Sequence, residues 1–151
     1  MVKLEEGKSV GIRDLETFQD ISETYLSKVY TKLSKSGIIK SIPGVKGGDA
    51  LALRAEEIAF WDIGESVEGS KSFFQCAKIR QNNILLDKDN LPDILTKCPC
   101  LIKVVMSEAE DEMGKYLRKK SLAWLYNEVY NKNLPKEVEK ATIEWFNNSR
   151  K

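Results

Sequence analysis

The stretch from Ile21 to Leu53 constrains this chain more than any other. Behind Ser22, which is placed to cap a helix, Leu26, Val29, Tyr30 and Leu33 recur at the i, i+3, i+4, i+7 spacing of one buried face. Thr24, Lys28, Thr31 and Lys35 therefore share the opposite, solvated face. Gly37 suits the left-handed position that stops a helix. Two short apolar runs then flank Pro43-Gly-Val-Lys-Gly-Gly48 and predict a β-hairpin.

A helix with a hydroxyl and lysine stripe, followed at once by a small two-stranded ribbon, is the reading half of a winged helix-turn-helix. Such a helix, about 10–12 Å across, fits a major groove about 12 Å wide, and its hydroxyls and amines reach base edges and phosphates. The glycines let the ribbon approach a phosphate or enter the minor groove. From Ser22 to Gly48 the chain carries Lys28, Lys32, Lys35, Lys40 and Lys46 against Glu23 alone. This end is basic on a molecule whose net charge is only +1. Upstream, Ile12 to Phe18 reads as the support helix, with Ile12, Leu15 and Phe18 inward. Gln19-Asp20-Ile21 makes the turn, with Ile21 buried between the two helices. Met1 to Gly7 reads as the last turns of a helix whose beginning is missing.

Composition narrows the function classes. Histidine is absent, which removes the commonest general base, the usual nucleophilic triads and histidine-containing zinc sites. An enzyme is accordingly not expected. Three cysteines are an odd number and too few for a disulfide scaffold. With no apolar run of about 18 residues and no signal peptide, no membrane association is expected and the cytoplasm is the expected compartment.

Beyond the hairpin, a helix is predicted from about Ala59 to Glu68, with Phe60, Ile63 and Val67 on one side and Gly69 closing it. Ser70 to Cys76 is a connector, and Ile79 to Asp93 a loop with a short helical or extended piece around Ile84-Leu85-Leu86. Pro99 stands at the first position of a long helix running to about Lys119. In it Ile102, Met106, Ala109, Met113 and Tyr116 step by four, three, four and three, the seam of a coiled coil. A seam that long needs another helix to cover it, and the simplest cover is a second copy of the chain. A short helix over Ser121 to Tyr126 follows. A last one begins at Pro135, with Val138, Ala141, Thr142, Trp145 and Phe146 as its apolar side. The fold expected is thus mainly α with a small β-wing. Residues 1–69 form a winged helix-turn-helix DNA-binding domain with an incomplete first helix, 70–98 a cysteine-containing connector or sensor loop, and 99–151 the dimerisation and C-terminal helices.

The segment from Val10 to Gly69 resembles the Rrf-two-type bacterial winged-helix regulators, the family of IscR, NsrR and CymR. The residues carrying the resemblance are Ile12-Arg-Asp-Leu15, Ile21-Ser-Glu-Thr-Tyr-Leu26, Lys32-Leu-Ser-Lys-Ser-Gly-Ile-Ile39, Ser41-Ile-Pro-Gly-Val-Lys-Gly-Gly48 and Asp62-Ile-Gly-Glu-Ser-Val-Glu-Gly69. Cys100-Leu-Ile-Lys103 and Ser121-Leu-Ala-Trp-Leu125 match, in order, the family's third cysteine with its dimer helix and a stretch beyond it. The resemblance implies a homodimeric transcription regulator, a repressor, that binds an operator in double-stranded DNA. It also implies that Ser22, Thr24, Tyr25 and Lys28 face that DNA. Pro43 stands where the family usually has an arginine before the wing glycine, which leaves Lys46 as the cation at the tip.

In cluster-binding relatives three cysteines lie close together ahead of the dimer helix. Here Cys76 lies well before Cys98 and Cys100, which only Pro99 separates. Three readings stay open: Cys76, Cys98 and Cys100 hold an iron-sulfur cluster, they act as redox or metal-sensing thiols, or they have no role. The rival function is a winged-helix module that binds another protein, with passive cysteines.

Overall fold

The computed structural model describes residues 1, 9–44, 47–69, 72 and 74–149. They divide into two compact units, Met1–Gly69 with Leu117–Lys151, and Ser70–Tyr116. The sequence-predicted helix end over Met1 to Gly7 falls largely on residues 2–8, outside the described residues.

In the first unit, helix α1 (Ile12–Gln19) opens where the Gly11 N–H donates to the Asp14 carboxylate at 3.2 Å. It ends on Asp20, which takes the left-handed conformation with φ 53°. Helix α2 (Glu23–Lys35) begins at Ser22, whose hydroxyl oxygen accepts the Tyr25 N–H at 3.4 Å. Glu23 in its first turn and Lys32 and Lys35 in its last suit the helix dipole. Gly37, at φ +75°, then turns the chain into the hairpin, as its sequence position implied.

Strands β1 (Ile39–Ile42) and β2 (Gly48–Leu51) pair antiparallel, with Ile39 opposite Leu51 and Ile42 opposite Gly48. Val10 bridges to Asp49 through paired backbone hydrogen bonds of 2.8 and 2.9 Å, so the chain ahead of α1 braces the ribbon. The core is built around Ile38, Ile39 and Ile58, against which Tyr30, Leu33, Leu51, Ile63 and Leu122 pack. Helix α3 is Phe60–Glu68, and Gly69 ends it.

Residues from Leu117 onward belong to this same unit. The Phe60 N–H donates to the Lys120 carbonyl at 2.8 Å, the Leu122 N–H to Ile58 at 2.9 Å and the Ala123 N–H to Ala55 at 3.1 Å. The Arg118 guanidinium lies 4.4 Å from the centre of the Trp61 ring.

The second unit holds a 3-10 turn at Ile79–Gln81 and a short helix α4 (Asp93–Thr96). Most of helix α5 (Leu101–Arg118) also belongs to it. Beyond α5 the first unit continues with α6 (Leu122–Tyr126), capped by the Ser121 hydroxyl at 3.1 Å from the Trp124 nitrogen. A π-helical turn over Asn127–Asn133 and helix α7 (Lys136–Asn148) complete it. Phe18 of α1 sits 5.0 Å from Trp145 and 4.9 Å from Phe146 of α7, ring centre to ring centre.

Several details correct the sequence reading. Ile21 is 37% exposed, because it precedes the cap and lies off the end of α2, while Leu26 supplies the buried apolar residue of that helix. No helical or extended piece forms at Ile84 to Leu86. The Asn83 side chain takes the Leu85 N–H at 2.9 Å and the Asp87 carboxylate takes that of Asp89 at 3.0 Å, local bonds that compete with a helix. Helical turns fall on either side instead, at Ile79–Gln81 and Asp93–Thr96. Helix α5 starts two residues after Pro99, with the Cys100 carbonyl accepting the Val104 N–H at 3.0 Å. In α7, Val138 and Ala141 are exposed and Ile143 joins the covered face with Thr142, Trp145 and Phe146. The π-helical turn has no counterpart in the sequence reading.

The hydroxyl of Tyr30 is pushed up from 10.0 to about 12 by burial, with the nearby Asp49 charge adding to it. Folding therefore favours the neutral phenol, and that contribution is intact below about pH 10, the unfolded value, and lost as pH rises towards 12. Unfolding measurements between those limits should show stability falling, and Tyr30→Phe should flatten the fall.

Candidate nucleic-acid interface and cysteine site

Every helical residue proposed for DNA contact lies at the surface. Ser22, Thr24, Tyr25, Lys28, Thr31, Lys32 and Lys35 are all exposed, Tyr25 to 60%. The cause is the pattern that buries Leu26 and half-buries Val29, Tyr30 and Leu33, since a helix that turns one face inward must turn the other out. Helix α7, whose aromatic side chains meet Phe18 of α1, leaves this stripe open.

Within the stripe the side chains differ in their freedom. The Thr31 hydroxyl donates to the Ser27 carbonyl at 2.7 Å, so its proton is engaged and its oxygen remains an acceptor. The Lys32 ammonium donates to the carbonyl of Val67 at the end of α3. Lys32 thus has a structural partner that its spacing gave no means of anticipating. Arg13 of α1 reaches Glu23 at 3.5 Å, beside the start of α2, and offsets the lone acid of this basic region.

The wing is stiffened where it meets the unit. The Ser41 hydroxyl donates to the Asp49 carboxylate at 2.7 Å across the two strands, and Asp49 is buried. At the tip the Gly47 N–H returns to the Gly44 carbonyl at 2.9 Å. A Cβ on Gly47 would lie 2.2 Å from the Ile42 carbonyl oxygen, so the turn requires glycine there. Lys46, the predicted wing cation, lies outside the described residues.

The seam residues of α5, Ile102, Met106, Ala109, Met113 and Tyr116, are likewise exposed, as are Leu101 and Val105. The stripe that the four-three spacing marked out is an uncovered apolar ridge.

The three cysteines are free thiols, with Cys98 exposed and Cys76 and Cys100 half-buried. The backbone N–H groups of Lys103 and Ile102 point at the Cys100 sulfur from the first turn of α5. These bonds, the one to Lys103 above all, together with Cys76 and the charge of Arg80, outweigh burial and lower the Cys100 thiol below its ordinary value. Arg80 also donates to the Cys98 carbonyl. It is a functional neighbour that sequence spacing, eighteen residues away, did not reveal.

Among the described residues no three cysteine, aspartate, glutamate or histidine side chains are arranged to hold a metal ion. The three cysteine sulfurs form no such group, so this donor set does not fit an iron-sulfur cluster held by all three.

These features meet in comparison with known proteins. The family model described as "Rrf2: Iron-dependent Transcriptional regulator" matches residues 1–128. The chain belongs to the Rrf2 family. It is 31% identical over 120 residues to "Protein rrf2" of Nitratidesulfovibrio vulgaris, covering 80% of this chain and 73% of that protein. It is 28% identical over 109 residues to the "Putative HTH-type transcriptional regulator YwgB" of Bacillus subtilis, where the match covers 72% of this chain but only 64% of the relative. Among solved structures, "T. potens IscR" superposes with a TM-score of 0.59 at 22% identity, covering 85% of this chain and 76% of the other. CymR of B. subtilis does so with a TM-score of 0.55 at 21%, covering 80% of each. At these identities the structures establish the fold alone, a mainly helical one with a two-stranded wing. Rrf2 proteins are DNA-binding transcriptional regulators, not enzymes.

Replacing Gly47 by alanine should force the wing tip apart at the cost of about 1–3 kcal/mol. Urea unfolding would give the loss, and amide shifts confined to residues near the hairpin would locate it.

Proposed function

We propose that this Rrf2 protein is a homodimeric repressor whose helix α2 lies in the major groove of an operator and whose wing touches the backbone. The observation that carries the reading is the open edge of Ser22, Thr24, Tyr25, Lys28, Thr31, Lys32 and Lys35 on α2, within the unit that also holds the glycine-tipped ribbon. Hydroxyls and Tyr25 at its N-terminal end suit base edges and phosphates, and lysines further along suit phosphates. Lys46 extends the contact from the wing.

Homodimerisation is supported by the exposed ridge from Ile102 to Tyr116. Two copies pairing along it would present two recognition helices, and a separation of about 34 Å would match successive major grooves on one face of a duplex. The cysteine unit is the input. A change of state at Cys76, Cys98 or Cys100 acts at the start of the helix that carries the ridge, and so on the spacing of the two reading heads. A regulator of this kind works where the chromosome is, in the cytoplasm.

A mobility shift on the DNA upstream of its own gene, repeated over a salt series, tests the DNA contact. Lys28→Ala and Lys35→Ala should each weaken binding about equally on all sequences and reduce the slope of log affinity against log salt by about one. A flat salt dependence would overturn the reading. Met106→Glu combined with Met113→Glu should leave monomers in sedimentation and lower operator affinity by roughly 10²–10⁴-fold, the gain that joining two reading heads supplies.

A further inference from the structure

We propose that the cavity between α1, the π-helical turn and α7 binds a small organic ammonium ion, its charge held by Glu139 and its apolar body lying among aromatic side chains. The proposal rests on the reading above only for what such binding serves, since α1 is the helix that supports the recognition helix.

Three observations converge on this cavity. First, it lies within one unit of the fold and has a volume of about 250 Å³. An apolar cavity of about 150 Å³ already takes a benzene ring. Leu15 and Phe18 of α1 and Ile143 and Phe146 of α7 supply apolar walls. Val10, bonded through its backbone to Asp49 of β2, lines it as well. An occupant therefore touches the support helix, the last helix and the residue that braces the wing.

Second, the charge in this lining has one sign. Glu139 is the one charged side chain among the described residues that line the cavity, and it is 17% exposed. Its Oε1 accepts the Tyr126 hydroxyl, and its Oε2 lies 3.4 Å from the ammonium of Lys136, an exposed side chain outside the lining. A carboxylate accepts at about four sites, so a cationic ligand can share it with these donors. Burial above all, and then Glu139 itself, raises the Tyr126 phenol and keeps it neutral. Burial also lowers the amino group of Met1, another lining residue, towards its neutral form. The cavity thus favours a cation over an anion.

Third, the ring faces suit an ammonium. Tyr126 and Tyr130, both in the lining, stack with ring centres 4.8 Å apart and an interplanar angle of 24°. Aromatic faces attract a cation through the ring quadrupole, and a carboxylate beside them adds its charge. Tyr130 belongs to the π-helical turn, a distortion frequent at functional sites.

The test titrates the full chain, without DNA, with phenethylammonium. Its neutral and anionic counterparts of similar size are 2-phenylethanol and 3-phenylpropionate. Amide shifts should move saturably in α1, the π-helical turn and α7, with the ammonium bound roughly tenfold or more tighter than the alcohol and the anion not bound. Glu139→Gln keeps an acceptor for Tyr126. It should weaken ammonium binding by roughly tenfold or more and change binding of the alcohol by less than about twofold, a contrast that separates a lost charge from a lost cavity. The ligand series on the wild-type chain decides the matter even where the variant fails to fold. No saturable shift up to about 10 mM phenethylammonium, equal or tighter binding of the alcohol or the anion, shifts confined to α5, or unchanged ammonium binding in Glu139→Gln would each overturn the proposal. Failure to bind the operator counts against the regulator reading, and failure to bind the amine counts against the cavity.

Discussion

Ile58, 1% exposed, is where three distant parts of the chain close on one another. Its side chain joins Ile38 and Ile39, and its carbonyl accepts the Leu122 N–H. Tyr30 and Leu33 of α2, Leu51 of β2 and Ile63 of α3 pack on the same cluster. Burying an isoleucine is worth about 1.5–3 kcal/mol, and here the same few residues also fix directions. Because α2 and the hairpin share this small core, neither can turn without disturbing the other. The hydroxyl and lysine edge points outward as a consequence of what Leu26, Tyr30 and Leu33 must do inward.

That dependence explains what could be read from the sequence. The α2 pattern, the stop at Gly37, the two apolar runs around the glycine-rich tip and the four-three spacing of α5 are local and periodic. Each leaves its mark within a few residues, and the structure reproduces the elements they predict. Ile21 was misread because apolar character alone does not tell a wedge between helices from a residue just ahead of a cap. Ile84 and Leu85 were misread because Asn83 and Asp87 offer the backbone nearer partners than a helix would. The attachment of Lys32 to Val67 and the place of Arg80 are non-local. No spacing rule reaches them, since the intervening chain decides where it folds back.

Family membership and local chemistry answer different questions. The match over residues 1–128 fixes what kind of protein this is. Near α5 the local chemistry is that of a Cys100 thiol lowered by the Lys103 backbone above all, and among the described residues no three donor side chains are gathered to hold a metal ion.

The π-helical turn at Asn127–Asn133 adds a further constraint. A π-turn accommodates one residue more than the α-helical path requires, and one residue of α-helix corresponds to about 100° of rotation. A chain one residue shorter here, wound as ordinary α-helix, would swing α7 around its axis and carry Trp145 and Phe146 off Phe18. The surplus residue thus sets the phase of the last helix, and this short segment should tolerate changes of side chain far better than changes of length.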